Sequence, residues 1–394
     1  MTFRTGGPRL GRRQALGLAG GLGVGLAAAG LPHGPIAWAA DDEDLPDVTA
    51  PVKRPIEDFG TIARPEPPTM QSCGPQLILV DNPEALDEDV LIGSVLYRDT
   101  VSGWVRVMTH QQNQLDEPLV VAITVTNTTD EPVEVWQRGR GVGHSIYPAV
   151  AGQVSSRDFV SAHRSGDDER VASLEPGQTW ADDSVVEAGI TKSALVEVRA
   201  TAAGSDTEVP VLVGAVVHRP GETVEPATGP VTPIEISSLQ RATYEHADRY
   251  SLIEVDLDQG TQKIAFNGAG DPESPWYNPE TAIEGQYVLG HNVIEDIPSL
   301  NNGNYGALYD LRIRLSGGST EPLGLWIQPS GGPGNHVNVV DGVVNVSPYL
   351  KPTDAWLIGT IPNPTRDRVH RILLNLTGGS SGAQQLILAP GLAT

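Results

Sequence analysis

The sequence predicts an all-β protein: two immunoglobulin-like β-sandwich domains in tandem, behind a signal peptide and a disordered linker. Three observations predict it. Short runs rich in Val, Ile, Leu and Thr recur through residues 74–220 and 231–394, and many alternate apolar with polar side chains, the period of a strand buried on one face. Polar, turn-forming clusters separate these runs at the spacing of a sandwich. Pro220, Gly221, Pro226, Gly229, Pro230 and Pro233 interrupt the pattern and set a second linker at 221–230, with enough chain on either side for a core.

Residues 1–39 read as an export signal. Arg4, Arg9, Arg12 and Arg13 precede a mild Gly/Ala/Leu/Val run that ends near Leu31, and Ala37-Trp38-Ala39 offers small residues for a signal peptidase. The paired Arg12-Arg13 ahead of a weakly apolar run points to the twin-arginine route, so the expected location is secreted, periplasmic or cell surface. The run is too glycine-rich for a spanning helix, and the rest of the sequence contains no candidate span. Removing residues 1–39 takes away four arginines and no acid, which moves the formal net charge from −23 to −27. Such a balance disfavours nucleic acid and anionic membranes as partners, because both select Lys/Arg patches. A single cysteine, Cys73, excludes an internal disulfide, so packing must hold the fold.

Residues 40–73 are acidic and proline-rich, and like-charge repulsion with missing backbone donors predicts an extended tether. Strands are expected at 104–109, 118–125, 133–136, 194–199 and 209–217, with a turn at 127–132 and one helix over 149–163. In the second half, 251–256, 308–315 and 371–376 read as strands. The clearest is 308–315, with Tyr309, Leu311, Ile313 and Leu315 on one face and Asp310, Arg312 and Arg314 on the other. Arg138-Gly139-Arg140-Gly141-Val142-Gly143 is glycine-rich and basic but lacks the βαβ setting of a nucleotide loop, so it reads as a flexible connection from strand to helix. A long polar stretch from Gly268 to Asn304 is the first place to look for function.

His246-Ala247-Asp248-Arg249, Gly303-Asn304-Tyr305-Gly306-Ala307-Leu308-Tyr309 and Gly331-Gly332-Pro333-Gly334 resemble a group of uncharacterised secreted bacterial β-sandwich proteins. Some of that group are similar to, or accompany, the stalk module called copper-amine-oxidase-N-like. The resemblance extends loosely to 105–136 and 149–163. It implies an extracellular, non-enzymatic protein and transfers no catalytic residue.

The candidate chemistry is sparse. Eight histidines follow residue 39, none in a metal-binding spacing, so no transition-metal site and no cofactor is expected. Asp256 and Asp258 ahead of Gly260 form a weak calcium candidate, and Asp81 to Asp89 is dense in oxygen ligands; a solvated turn explains both as well. Trp276 and Tyr277 lie among Glu273, Glu280 and Glu284, a composition suited to sugar rings and hydroxyls, and a glycosidase would need two such carboxylates across a cleft. His246 and Asp248, with Asn304 and Tyr305, stand at the entrances of strands; they are either ligand contacts or corner residues tying loops to backbone. The favoured expectation is a secreted binding or structural protein for polysaccharide or cell-envelope components. An extracellular carbohydrate-active hydrolase is the alternative, and an exported metal-binding protein the second.

Overall fold

The computed structural model describes residues 52–234, 240–268, 286–364 and 369–393. They belong to one compact unit, and its secondary structure is mostly strand. Four sheets form it. The first is four-stranded, in the order β10 (Thr179–Val186), β7 (Leu119–Thr126), β12 (Val211–His218), β5 (Ser94–Val101). The second has nine strands: β17 (Ile297–Leu300), β16 (Leu289–Asn292), β13 (Arg241–Tyr244), β3 (Gln76–Val80), β6 (Val105–Asn113), β11 (Thr191–Ala202), β8 (Val133–Ser145) and β9 (Glu169–Leu174), with β4 (Ala85–Leu86) on β6. The third runs β2 (Gln71–Cys73), β14 (Asp248–Asp256), β18 (Leu308–Ser316), β23 (Val369–Leu376), β20 (His336–Val340), β21 (Val343–Val346). The fourth runs β1 (Lys53–Pro55), β22 (Asp354–Ile361), β19 (Leu323–Pro329), β24 (Gln384–Pro390), β15 (Gln262–Phe266).

Alternation decides what each sheet buries. Ile123 and Val125 of β7 meet Val105 and Val107 of β6 and Val196 of β11 in a core between the first two sheets. Tyr309, Leu311, Ile313 and Leu315 of β18 meet Leu325, Ile358 and Leu386 in a core between the last two, so the face read from the alternation in 308–315 is the buried one. A third core separates the sequence expectation from the outcome. Leu77, Leu79, Met108, Leu195 and Tyr244 of the nine-stranded sheet pack with Val337, Val339 and Leu373 of the six-stranded sheet. The boundary placed at 221–230 is therefore spanned both by this core and by the nine-stranded sheet, which takes β13, β16 and β17 from the far side. Strands whose two faces are both covered lose the alternation that makes a sheet legible, as Leu77-Ile78-Leu79-Val80 does.

The 40–73 tether is corrected from residue 52 onward. β1 pairs antiparallel with β22, β2 pairs with β14, and buried Phe59 stacks edge-on against Trp326 at 5.2 Å. The few apolar side chains among the prolines (Val52, Ile56, Phe59, Ile62) have found a face to cover.

The helix expected at 149–163 is α1 (Pro148–Ser165), the one α-helix among the described residues. Pro148 presets φ at its first position, and Gly166 ends it at φ +70°. The segment 138–143 is not a connecting loop: it lies inside β8. Its glycines recur every second residue because α1 lies directly on that face of the strand. A Cβ at Gly141 would stand 1.8 Å from the Ser155 carbonyl oxygen, and one at Gly143 would stand 2.1 Å from that of Ala151. Gly141→Ala should therefore push the helix off and cost about 2–3 kcal/mol in urea unfolding. Gly318→Ala, whose Cβ would meet only Asp258 Oδ1 at 3.5 Å, should cost far less. Equal costs would remove this account of the glycine run.

Candidate functional site

The sequence candidates do not gather at one place. Trp276 and Tyr277 lie outside the described residues. Asp256 and Asp258 serve backbone: Asp256 accepts from the Asp258 amide at 3.1 Å, and Asp258 accepts from the Gly318 amide at 2.7 Å. Among the described residues no three His, Cys, Asp or Glu side chains converge in a way that could hold a metal ion. His246 is half-buried: Nε2 lies 4.0 Å from Glu245 Oε1, and Nδ1 is buried without a hydrogen-bond partner among the described residues.

Asn304 and Tyr305 are corner residues. Asn304, at φ +48°, accepts from the Val288 amide at 2.9 Å and donates to the Gln286 carbonyl and to the Tyr309 hydroxyl at 2.8 and 2.7 Å. Tyr305 donates its hydroxyl to the Ser380 carbonyl, and burial drives its pKa far up. The same corner closes the stem of the 269–285 segment. The Gly268 amide donates to Gln286 Oε1 at 2.8 Å, and Arg249 Nε donates to the Gln286 carbonyl at 3.1 Å. Tyr309 also donates to Asn267 Oδ1 at 3.3 Å.

Asp248 belongs to a buried charge network that sequence reading did not find. Arg106, fully buried on β6, donates to Asp248 Oδ1 at 2.5 Å, to Glu197 Oε2 at 3.0 Å and to the Gly306 carbonyl at 2.8 Å. Arg138 donates to the other oxygen of Glu197, and His163 of α1 stands 3.9 Å from it. Asp248 also accepts from the Leu308 amide at 2.9 Å. Burial opposes the charge on Arg106, but Asp248 and Glu197 outweigh it and raise its pKa; burial likewise opposes charge on Glu197, and Arg106, His163 and Arg138 hold it low. Arg106 and Glu197 thus stay charged, and the cluster joins β6 and β11 to the start of β14. No local pattern announces it, since 142 residues separate Arg106 from Asp248.

A second acidic group lies just after β3. Asp81 is buried, and burial together with nearby Glu84 raises its pKa well above the usual carboxylate value. Glu84 Oε1 lies 3.9 Å from Nε2 of His110, a fully buried imidazole whose pKa burial lowers to about 4. The oxygen-rich run 81–89 noted in the sequence therefore supplies a carboxyl pair beside a neutral histidine.

No protein-family model matches the chain, and no curated protein matches its sequence. Weakly similar solved structures include an anti-sigma factor domain-containing protein at 11% identity and TM-score 0.17, covering 74% of this chain and 80% of that one. Lac15 from a marine microbial metagenome, at 12% identity and TM-score 0.14, covers 84% and 66%. The PBSX exported protein XepA, at 9% identity and TM-score 0.13, covers 80% and 86%. Similarity at that level carries no argument about fold or activity. No helix among the described residues is long and apolar enough to cross a membrane.

Proposed function

We propose that the protein is exported by the twin-arginine route and acts outside the cytoplasm as a polysaccharide-binding or envelope-binding protein, its joined sheets serving as the frame. The observation that carries this reading is the closed stem of the 269–285 segment. Gln286 takes hydrogen bonds from Gly268, Arg249 and Asn304, so the described residues on either side of 269–285, whose sequence contains Trp276, Tyr277 and several acids, are tied together. Asp248, Asn304 and Tyr305 support the reading in a different way: their polar atoms hold the frame rather than await a ligand.

Binding of the full chain to a glycan array and to envelope fractions tests the proposal. Trp276→Ala should weaken the strongest interaction about tenfold, the scale of one stacked aromatic. Full retention by the variant would count against the segment, and binding to nothing would count against the function. One observation favours a hydrolase as a second reading: burial and nearby Glu84 raise the pKa of Asp81, and a carboxyl with a raised pKa near a second one is a feature of acid–base mechanisms. Turnover of any bound glycan, lost in Asp81→Asn, would establish it.

A further inference from the structure

A row of alternating aromatic and cationic side chains crosses four adjacent strands of the nine-stranded sheet. Trp136 on β8 pairs across the ladder with Arg199 on β11 and with Arg170 on β9. The Arg199 guanidinium lies 5.0 Å from the ring centre of Trp104, at the start of β6, and 5.9 Å from that of Trp136. Arg138 stacks on Trp104 at 4.2 Å. Three strand spacings make the row roughly 14 Å long. Both tryptophans are half-buried, and the arginine side chains range from 20% exposed for Arg199 to 55% for Arg170.

The charges in this row are nearly balanced. Arg170 meets Glu134 at 2.6 Å, Arg199 meets Asp168 at 3.5 Å, and Arg138 meets Glu197. Donors still exceed acceptors, because each guanidinium has five N–H groups and the carboxylates beside them occupy only some. The row therefore offers indole surface and surplus N–H donors with little net charge, inside a chain whose formal charge of −23 repels polyanions.

We infer that this row is a binding platform for an uncharged polysaccharide, with the C–H faces of the sugar rings on Trp104 and Trp136 and their hydroxyl oxygens on Arg138, Arg170 and Arg199. The inference rests on the proposed glycan-binding function and gives it a second surface and a ligand class. Charge balance selects neutral over acidic chains; stacked guanidinium planes, already ordered, lose little entropy on contact.

The test measures affinity of the full chain for cellohexaose, chitohexaose and polygalacturonate by titration calorimetry. Trp104→Ala and Arg170→Ala should each weaken binding to a neutral oligosaccharide about tenfold or more. Arg170 is exposed enough that its loss leaves the core intact, so it decides the matter where Trp104→Ala fails to fold. Unchanged affinity in Arg170→Ala, or binding confined to polygalacturonate, would overturn the platform. Binding that Trp276→Ala abolishes and the row variants spare would remove the platform and leave the proposed function standing. Binding to none of the three, nor to any envelope fraction, would remove both.

Discussion

Lowering the pH from 7 to 4 should remove about 6 kcal/mol of stability through two buried histidines, much of it above pH 5, against a smaller opposing gain from Asp81, whose raised pKa lets the fold take up a proton in the same range. The cause is a pair of fully buried imidazoles, His110 on β6 and His336 on β20, whose pKa values burial pushes from 6.5 to about 4; at His336 a contact with Gln384 resists the fall only in part. Neither ring nitrogen of His110 has a hydrogen-bond partner among the described residues, so an added proton would place a charge in the interior that Glu84, 3.9 Å from Nε2, offsets only in part. Between pH 6.5 and 4 the unfolded chain binds protons that the folded chain refuses, so stability rises with pH across that window. It is complete above the unfolded value and is lost as pH falls toward the folded one. Each histidine contributes about 3 kcal/mol, from 1.36 kcal/mol per unit. Carboxylates held low in the fold, such as Glu197 and Asp310, add their loss only at lower pH. Urea midpoints at pH 7, 6, 5 and 4.5 would show the slope. His336→Gln, neutral throughout, should flatten it by about half, and an unflattened slope would assign the acid sensitivity elsewhere.

Such histidines are invisible to sequence reading, because a lone His in a strand looks the same whether its face meets water or a neighbouring sheet. What was legible followed from short-range periodicity. The 308–315 alternation gave the strand and its buried face, and the helix expected over 149–163 is present as Pro148–Ser165. The glycines at 139, 141 and 143 carried a readable signal whose meaning depended on a partner: period-two glycine inside a strand marks a surface on which something else lies flat. The third core erased alternation in β3 and hid the joining of the two halves. Phe59 was masked by the prolines around it, although one large apolar side chain is enough to pin a proline-rich segment to Trp326. The candidate residues divided on the same ground. Asn304 acts within a corner close in sequence, where the choice between ligand contact and backbone tie could at least be framed, whereas the Tyr305 hydroxyl reaches Ser380, 75 residues on. Asp248 answers to Arg106, and only the fold brings those two together.

That pairing gives the second large effect. Arg106→Met should destabilise the protein by about 3–5 kcal/mol, the cost of leaving a buried charge without its partner. Glu197 is the residue stranded: its side chain is fully buried, and of its cations only Arg138 would remain in direct contact. Asp248 suffers less, since its side chain is 14% exposed and keeps the Leu308 amide. The Gly306 carbonyl loses its donor as well, which loosens the turn leading into β18. Arg106→Met with Glu197→Met should recover a large part of the loss, because two apolar side chains of similar volume avoid the desolvation of both ions. Thermal and urea unfolding of the two single variants and the double variant would close the cycle. A cost below about 1 kcal/mol for Arg106→Met would mean that water reaches the network and that it behaves as a surface pair. Additive single costs would mean that Arg106 and Glu197 act through different neighbours. The expected coupling instead makes the ion cluster the element that fixes how β14 docks against β6 and β11. Any ligand bound by the nine-stranded sheet then meets a surface whose backing, from Arg106 through Glu197 to Arg138, is already set.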